Sequence, residues 1–198
     1  NELKKTGLSE KEIAGKLGLF DEKGEPSTGK LRLEKAYAKD ERRLYDMARA
    51  KSLQSDGKGA TEIGREMGIP ESTVRSLLDP NREARTALAR NTANFLREQI
   101  ETKGMIDIGT GVERELSTEI GLGVSKEKLK EALYILEKEG YPIYKGGIPQ
   151  ATNPGKQINQ RVICPKGTPH KAIYEFDKIH SIKEYTSTDD GETFTKFV

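Results

Sequence analysis

Two histidines, one cysteine, an acidic turn and a glycine pair are the groups here whose types suit catalysis or metal binding. Their spacing suits neither. His170 and His180 stand in polar surroundings, with no cysteine or carboxylate at metal-ligand spacing. Each reads as a surface or locally satisfied imidazole. Asp189-Asp190-Gly191-Glu192 is acidic but lacks the ligand spacing of a calcium loop, and it reads as a turn before a strand over 193–198. Gly109-Thr110-Gly111 is too short for a phosphate loop. Cys164 stands alone, which precludes an internal disulfide and suits a reducing cytoplasm. The sequence predicts no enzyme, no metal site and no cofactor within these residues.

Hydrophobic and charged residues each make up 33% of the 198 positions, so a lean core lies under a heavily solvated surface. Several small helical units fit that composition better than one large globule. The formal net charge is +2, and the balance holds locally: residues 1–50 carry 12 basic and 10 acidic side chains, and residues 104–170 carry 9 and 8. Polyanion binders usually carry a basic surplus, so a phosphate-binding face would need charge segregated in three dimensions. No apolar run reaches the roughly 18–20 residues that span a bilayer, and no signal-peptide pattern opens the chain. The expected location is the cytoplasm, with no membrane partner. Asn1 opens the chain and Val198 stops it inside a strand-like stretch, which reads as a portion of something longer.

The elements that would position functional side chains are mostly helical. Ser9 and Glu12 form a capping-box pattern for a short helix bearing Ile13 and Leu17, closed by Gly18. Residues 20–26 read as loop. A helix from about Ser27 carries Leu33, Ala36 and Tyr37, and a separate helix over about 40–54 carries Leu44, Met47 and Ala48. Asp56-Gly57-Lys58-Gly59 breaks the pattern. Two short helices follow over about 61–67 and 71–78, then Asp79-Pro80 starts a helix that runs to about Lys103. Beyond Gly104 come a short strand over 105–108, a helix over 112–120 and a helix capped by Ser125 and ending at Gly140. Strands over 141–145 and 158–164 flank a long Gly/Pro loop, and 166–198 is a polar extension that starts a further domain.

Ala60 to Leu78 carries the sharpest motif. Gly64 supplies a small residue where two helices cross, and Gly68 tolerates a positive φ at the turn. Ile63, Met67, Ile69, Val74 and Leu77 fill the angle between the helices. The segment resembles the helix-turn-helix of resolvase and invertase DNA-binding domains. That resemblance implies that the second helix enters the major groove and turns Glu71, Ser72, Thr73, Arg75 and Ser76 to duplex DNA, with Arg75 on a guanine edge or a phosphate. A plain helical hairpin, with Gly68 as its C-cap, is the alternative.

The phrase recurs. Glu12-Ile13-Ala14-Gly15-Lys16-Leu17-Gly18-Leu19 matches Glu62-Ile63-Gly64-Arg65-Glu66-Met67-Gly68-Ile69 at an offset of 50. The first copy departs after Leu19, where residues 20–26 lengthen the turn. Its recognition helix would carry Thr28, Lys30, Arg32 and Lys35, in a register the sequence leaves open. Chance likeness of two amphipathic helices is the competing explanation.

From about Arg90 to Cys164 the order is helix, strand, helix, helix and two-stranded wing. With the phrase Val124 to Tyr141, which ends in Glu-Gly-aromatic, it resembles a bacterial winged helix of the MarR or GntR type. The resemblance implies DNA contact by Lys126, Lys128 and Lys130 on the helix and by Lys145, Lys156 and Arg161 on the wing. A solvated Lys/Glu helix packed on a hairpin is the bland alternative.

The expected fold is therefore mainly α, with helix-turn-helix units followed by a winged helix with a small antiparallel β-hairpin. The expected boundaries are 1–38 for a degenerate helix-turn-helix, 39–79 for a full one, 80–165 for the winged helix and 166–198 for the extension. The expected function is sequence-selective binding of double-stranded DNA in transcription or phage DNA handling. The arrangement is also similar to N-terminal regions of large bacteriophage-encoded proteins, some continuing into a polymerase-like core. That likeness implies the remainder of a larger polypeptide, or a phage protein, as a further partner, and a bacterial host cytoplasm, or alternatively a virion, as the location. The rival class is an assembly module whose helix-turn-helix folds bind protein.

Overall fold

The computed structural model describes residues 7–150, 153–168, 179–180, 185–187 and 194–196, with side-chain surroundings described over 7–144 and 161–168. Over these residues the chain is mainly helical, with seven helices and a small sheet. It divides into two compact units, Asn1–Leu88 and Ala89–Val198. No helix among the described residues is long and apolar enough to cross a membrane.

In the first unit, α1 (Glu10–Lys16) begins with the predicted capping box. The Ser9 hydroxyl accepts the Glu12 N–H at 3.3 Å, and the Glu12 carboxylate accepts the Ser9 N–H at 2.8 Å. Two amide donors that the first turn leaves orphaned are thereby satisfied. Ile13 and Ala14 turn inward and meet Leu31, with Leu8 and Leu19 partly covering them.

The following helix corrects the sequence reading. Two helices are expected between Ser27 and Gln54, yet a single α2 runs over Thr28–Ser55, capped by the Ser27 hydroxyl. The boundary expected between 38 and 39 falls inside it. Ala38 to Arg43 lacks an apolar stripe, which invites a break in the pattern. It also lacks glycine and proline, and Lys, Glu, Arg and Ala hold a helix without burial. The helix ends where Asp56 and Gly57 stop it, Gly57 at φ +83°.

Next come α3 (Ala60–Met67) and α4 (Glu71–Leu77). Their core joins Ile63, Val74 and Leu77 to Met47, Ala50 and Leu53 of α2, with Met67 and Ile69 packed at its edge. Asp79 then opens α5 (Pro80–Lys103): its carboxylate accepts the Asn81 N–H, and its carbonyl accepts those of Arg82 and Glu83. The division between the units falls within α5.

In the second unit, β1 (Met105–Asp107) leads to α6 (Val112–Ile120) and α7 (Lys126–Lys138), then to β2 (Ile143–Gln150) and β3 (Asn153–Ile163). The sheet order is β2-β3-β1-β4, with β3 antiparallel to both β2 and β1. The short β4 (Ile179–His180) pairs in parallel with β1, an addition the polar C-terminal sequence does not announce. Strands β5 (Tyr185–Ser187) and β6 (Phe194–Lys196) form a separate antiparallel pair. Leu96, Ile106, Ile108, Leu116, Leu136 and Ile163 are among the most deeply buried side chains here. Ser117 bridges the Gly-rich connection after α6, its hydroxyl accepting the Val124 N–H at 2.8 Å. Arg97 grips Glu139 through two nitrogens, Nε at 3.1 Å and Nη2 at 2.6 Å, tying α5 to the end of α7. Cys164 is fully buried, and desolvation pushes its thiol up to about 11.

The long loop expected over 146–157 is a second correction. β2 and β3 stay in register from Ile143↔Ile163 through Lys145↔Arg161 and Gly147↔Asn159 to Pro149↔Gln157, with an irregularity only at Gln150. A ladder is made by backbone groups, so a glycine- and asparagine-rich stretch joins it without contributing to an apolar core.

Candidate nucleic-acid interface

The corner between α3 and α4 is defined by two glycines. Gly68 sits at φ +68° and ends α3, a conformation that costs a Cβ-bearing residue energy. A Cβ on Gly64 would lie 2.7 Å from the Ile69 carbonyl oxygen and 3.5 Å from the Glu71 nitrogen. The helices cross as closely as the sequence requires. Val74 and Leu77 consequently point into the core, and Ser72, Thr73 and Arg75 are exposed on the opposite side of α4.

The predicted residues on this face are not equally available. Glu71 is half-buried and accepts from the Thr61 hydroxyl at 2.7 Å and from Arg75 Nη2 at 2.7 Å. Those two partners, Thr61 first, hold its carboxyl below the usual carboxylate range. Ser76 is half-buried, and its hydroxyl accepts from Arg82. Arg75 keeps 73% of its side chain exposed despite the pair with Glu71. An exposed pair of this i,i+4 kind is worth only about 0.3–0.5 kcal/mol, less than the roughly 1–3 kcal/mol of a bidentate base contact. The pair orients the guanidinium without withholding it.

The N-terminal copy repeats the turn hydrogen bonds of this corner. Gly18 has φ +69° where Gly68 has +68°. Leu19 N–H reaches Ala14 O at 2.9 Å, as Ile69 N–H reaches Gly64 O at 2.9 Å. Glu12 and Glu62 each accept the N–H of the residue three before, Ser9 and Gly59. Residues 20–25 then form an excursion closed by a Phe20↔Pro26 bridge and by Ser27 N–H on Leu19 O at 2.7 Å. After it the chain resumes the shared course: Ser27 and Pro70 are the caps, and Leu31 and Val74 are the first buried residues. The register left open by the sequence is thereby fixed. Thr28, Lys30 and Arg32 take the positions of Glu71, Thr73 and Arg75. Arg32 is exposed, Thr28 and Lys30 are half-buried, and Lys35 bonds Glu10 at 2.7 Å.

In the second unit, Lys126 and Lys130 are exposed at the start of α7. Lys128 is half-buried and bonds Glu131 at 2.6 Å. On the hairpin, Lys145 and Arg161 occupy directly opposed rungs. Arg161 is half-buried, and its Nε is buried with no hydrogen-bond partner among the described residues. Lys156 lies in β3; its side chain, like that of Lys145, falls outside the described surroundings, and so do His170, Asp189, Asp190 and Glu192.

Sequence reasoning missed one signal. Averaging charge over 104–170 conceals that its acids all precede Gly140. From Gly140 to Tyr174 there is no Asp or Glu, while Lys145, Lys156, Arg161, Lys166 and Lys171 fall within that stretch. The hairpin is thus an acid-free, basic element in a chain that is otherwise neutral. A running count of charge along the sequence is enough to find it. No protein family, curated protein or solved structure matches this chain.

Proposed function

We propose that this chain binds double-stranded DNA with sequence preference, through two helix-turn-helix corners and a winged helix. The observation that carries the reading is the α3–α4 corner. A glycine-limited crossing fixes the angle, and the free side of α4 offers Ser72, Thr73 and Arg75, short polar groups and one guanidinium suited to base edges and phosphates. The repetition of the same corner at α1–α2 supports it. In the second unit, the order β1-α6-α7-β2-β3 with β3 between β2 and β1 supports the winged-helix reading, and the acid-free hairpin suits a wing that touches phosphates.

Duplexes selected from a random library should bind more tightly than unselected ones, and affinity should fall as salt rises, with a modest slope. Equal affinity for both pools, or no binding at low salt, rejects the proposal. An assembly role is the second reading, favoured by Leu17 and Phe20, which are 49% and 42% exposed on the N-terminal corner. Concentration-dependent self-association that is lost in Leu17→Ser/Phe20→Ser, in a chain indifferent to DNA, would select it.

A further inference from the structure

The helix α2 belongs to two corners at once. Its first turns are the second helix of the N-terminal corner, with Leu31 in that small core. Its last turns supply Met47, Ala50 and Leu53 to the core beneath α3 and α4. Neither glycine nor proline occurs between Gly29 and Gly57, and both corners lie within one compact unit. At about 1.5 Å per residue, the stretch from Leu31 to Ala50 is about 28 Å long. That is close to the roughly 34 Å helical turn of a DNA duplex.

We infer that α2 acts as a ruler: one chain reads two short elements of a single duplex, centred about 8–10 base pairs apart. The inference rests on the DNA-binding reading above. Arg32 serves one element and Arg75 the other. A single duplex is favoured over two because 34 basic against 32 acidic side chains leave little charge to hold two polyanions this close. The two readers differ in one respect. Arg75 has Glu71 one turn before it, whereas Arg32 has Thr28 there, so the Arg32 element should carry more of the salt dependence.

The test uses the full chain and duplexes selected from a random library. Selected sites should hold two preferred elements flanking a degenerate spacer. Lengthening that spacer by about 5 base pairs, half a turn, should lower affinity at least about tenfold, because the second element loses the effective concentration set by the first. Arg32→Ala should erase preference at one element and Arg75→Ala at the other, with the larger drop in salt slope for Arg32→Ala. Four Gly/Ser residues inserted after Ala38 should restore tolerance to the longer spacer. Should that insertion unfold the chain, the two exposed arginine substitutions decide the matter alone. One uninterrupted element, or indifference to the spacer, overturns the ruler and leaves DNA binding standing. No binding to any duplex overturns both.

Discussion

At position 14 the chain carries a buried methyl group; at the matching position 64 there is no room for one. Both residues accept the same turn hydrogen bond at 2.9 Å. The difference lies in how the chain leaves the turn. Ile69 and Pro70 lead straight into α4 and press its start against α3. The excursion over 20–25 instead places the Pro26 side chain near the first corner, where a Cβ added to Gly15 would lie 3.4 Å from it. The interiors differ too. Met67 packs on a core roofed by Met47, Ala50 and Leu53, whereas its counterpart Leu17 is 49% exposed and the first core has three buried members, Ile13, Ala14 and Leu31, among the described residues. Local hydrogen bonds are enough to keep the frame of a corner, while the second corner gains in addition a cover of three side chains from the end of α2.

The largest test of that contrast is truncation of the matched isoleucines. Ile63→Ala should cost about 3–4 kcal/mol in urea denaturation and Ile13→Ala about 2 kcal/mol, since the smaller cluster leaves a cavity that collapses more easily. Equal losses would break the comparison. Adding a methyl with Gly64→Ala should cost about 1–3 kcal/mol, because the obstacle is a backbone carbonyl that cannot swing aside. Removing one with Ala14→Gly should cost about 1 kcal/mol.

The caps sharpen the comparison at lower energy. Ser9→Ala should destabilise by about 1 kcal/mol, read as a lower urea midpoint or faster amide exchange in α1. Gly59 is in extended geometry with φ −76° and has no side chain to cap with, so Gly59→Ser should gain roughly a few tenths of a kcal/mol. The smallest effect is electrostatic. Hydrogen bonds from the Ser9 side chain and then its backbone hold the Glu12 carboxyl below its ordinary 4.5. A lowered folded-state value contributes stability that is complete above the ordinary value and lost as pH falls through the lowered one. Amide protection factors in α1 should therefore fall on acidification below about pH 4.5, and Glu12→Gln should remove that dependence.

The helices with hard stops are legible in the residues: the capping box at Ser9, the breaks at Gly57, Gly68 and Gly121, and Asp79-Pro80 before α5 all sit where the pattern puts them. The corner at Gly64 is legible as well, because close backbone approach demands a missing side chain. What fails is anything decided without apolar side chains. The solvated middle of α2 has no stripe to follow, and the β2–β3 ladder is built from backbone groups that glycine and asparagine supply as well as valine does. Register across the 20–25 excursion also escapes, since residue counting assumes that both copies turn in the same number of residues. At the candidate interface the sequence names Arg75 and Arg32 but cannot reveal that Glu71 bonds the Arg75 guanidinium, nor that Thr28, in the matching position, is half-buried.

Cys164 has a practical consequence. The chain's sole thiol sits at 0% exposure beside the paired end of β3, its N–H on Pro142 O at 3.1 Å, with its ionisation suppressed by burial. Toward alkylating reagents the folded protein should behave as if it had no cysteine, since only a thiolate reacts. A fluorophore placed on a cysteine introduced near Arg32 or Arg75 would then label one position cleanly, giving a distance reporter for each corner. The native thiol itself becomes a clock: its slow modification would time how often the sheet of the second unit opens, independently of any ligand.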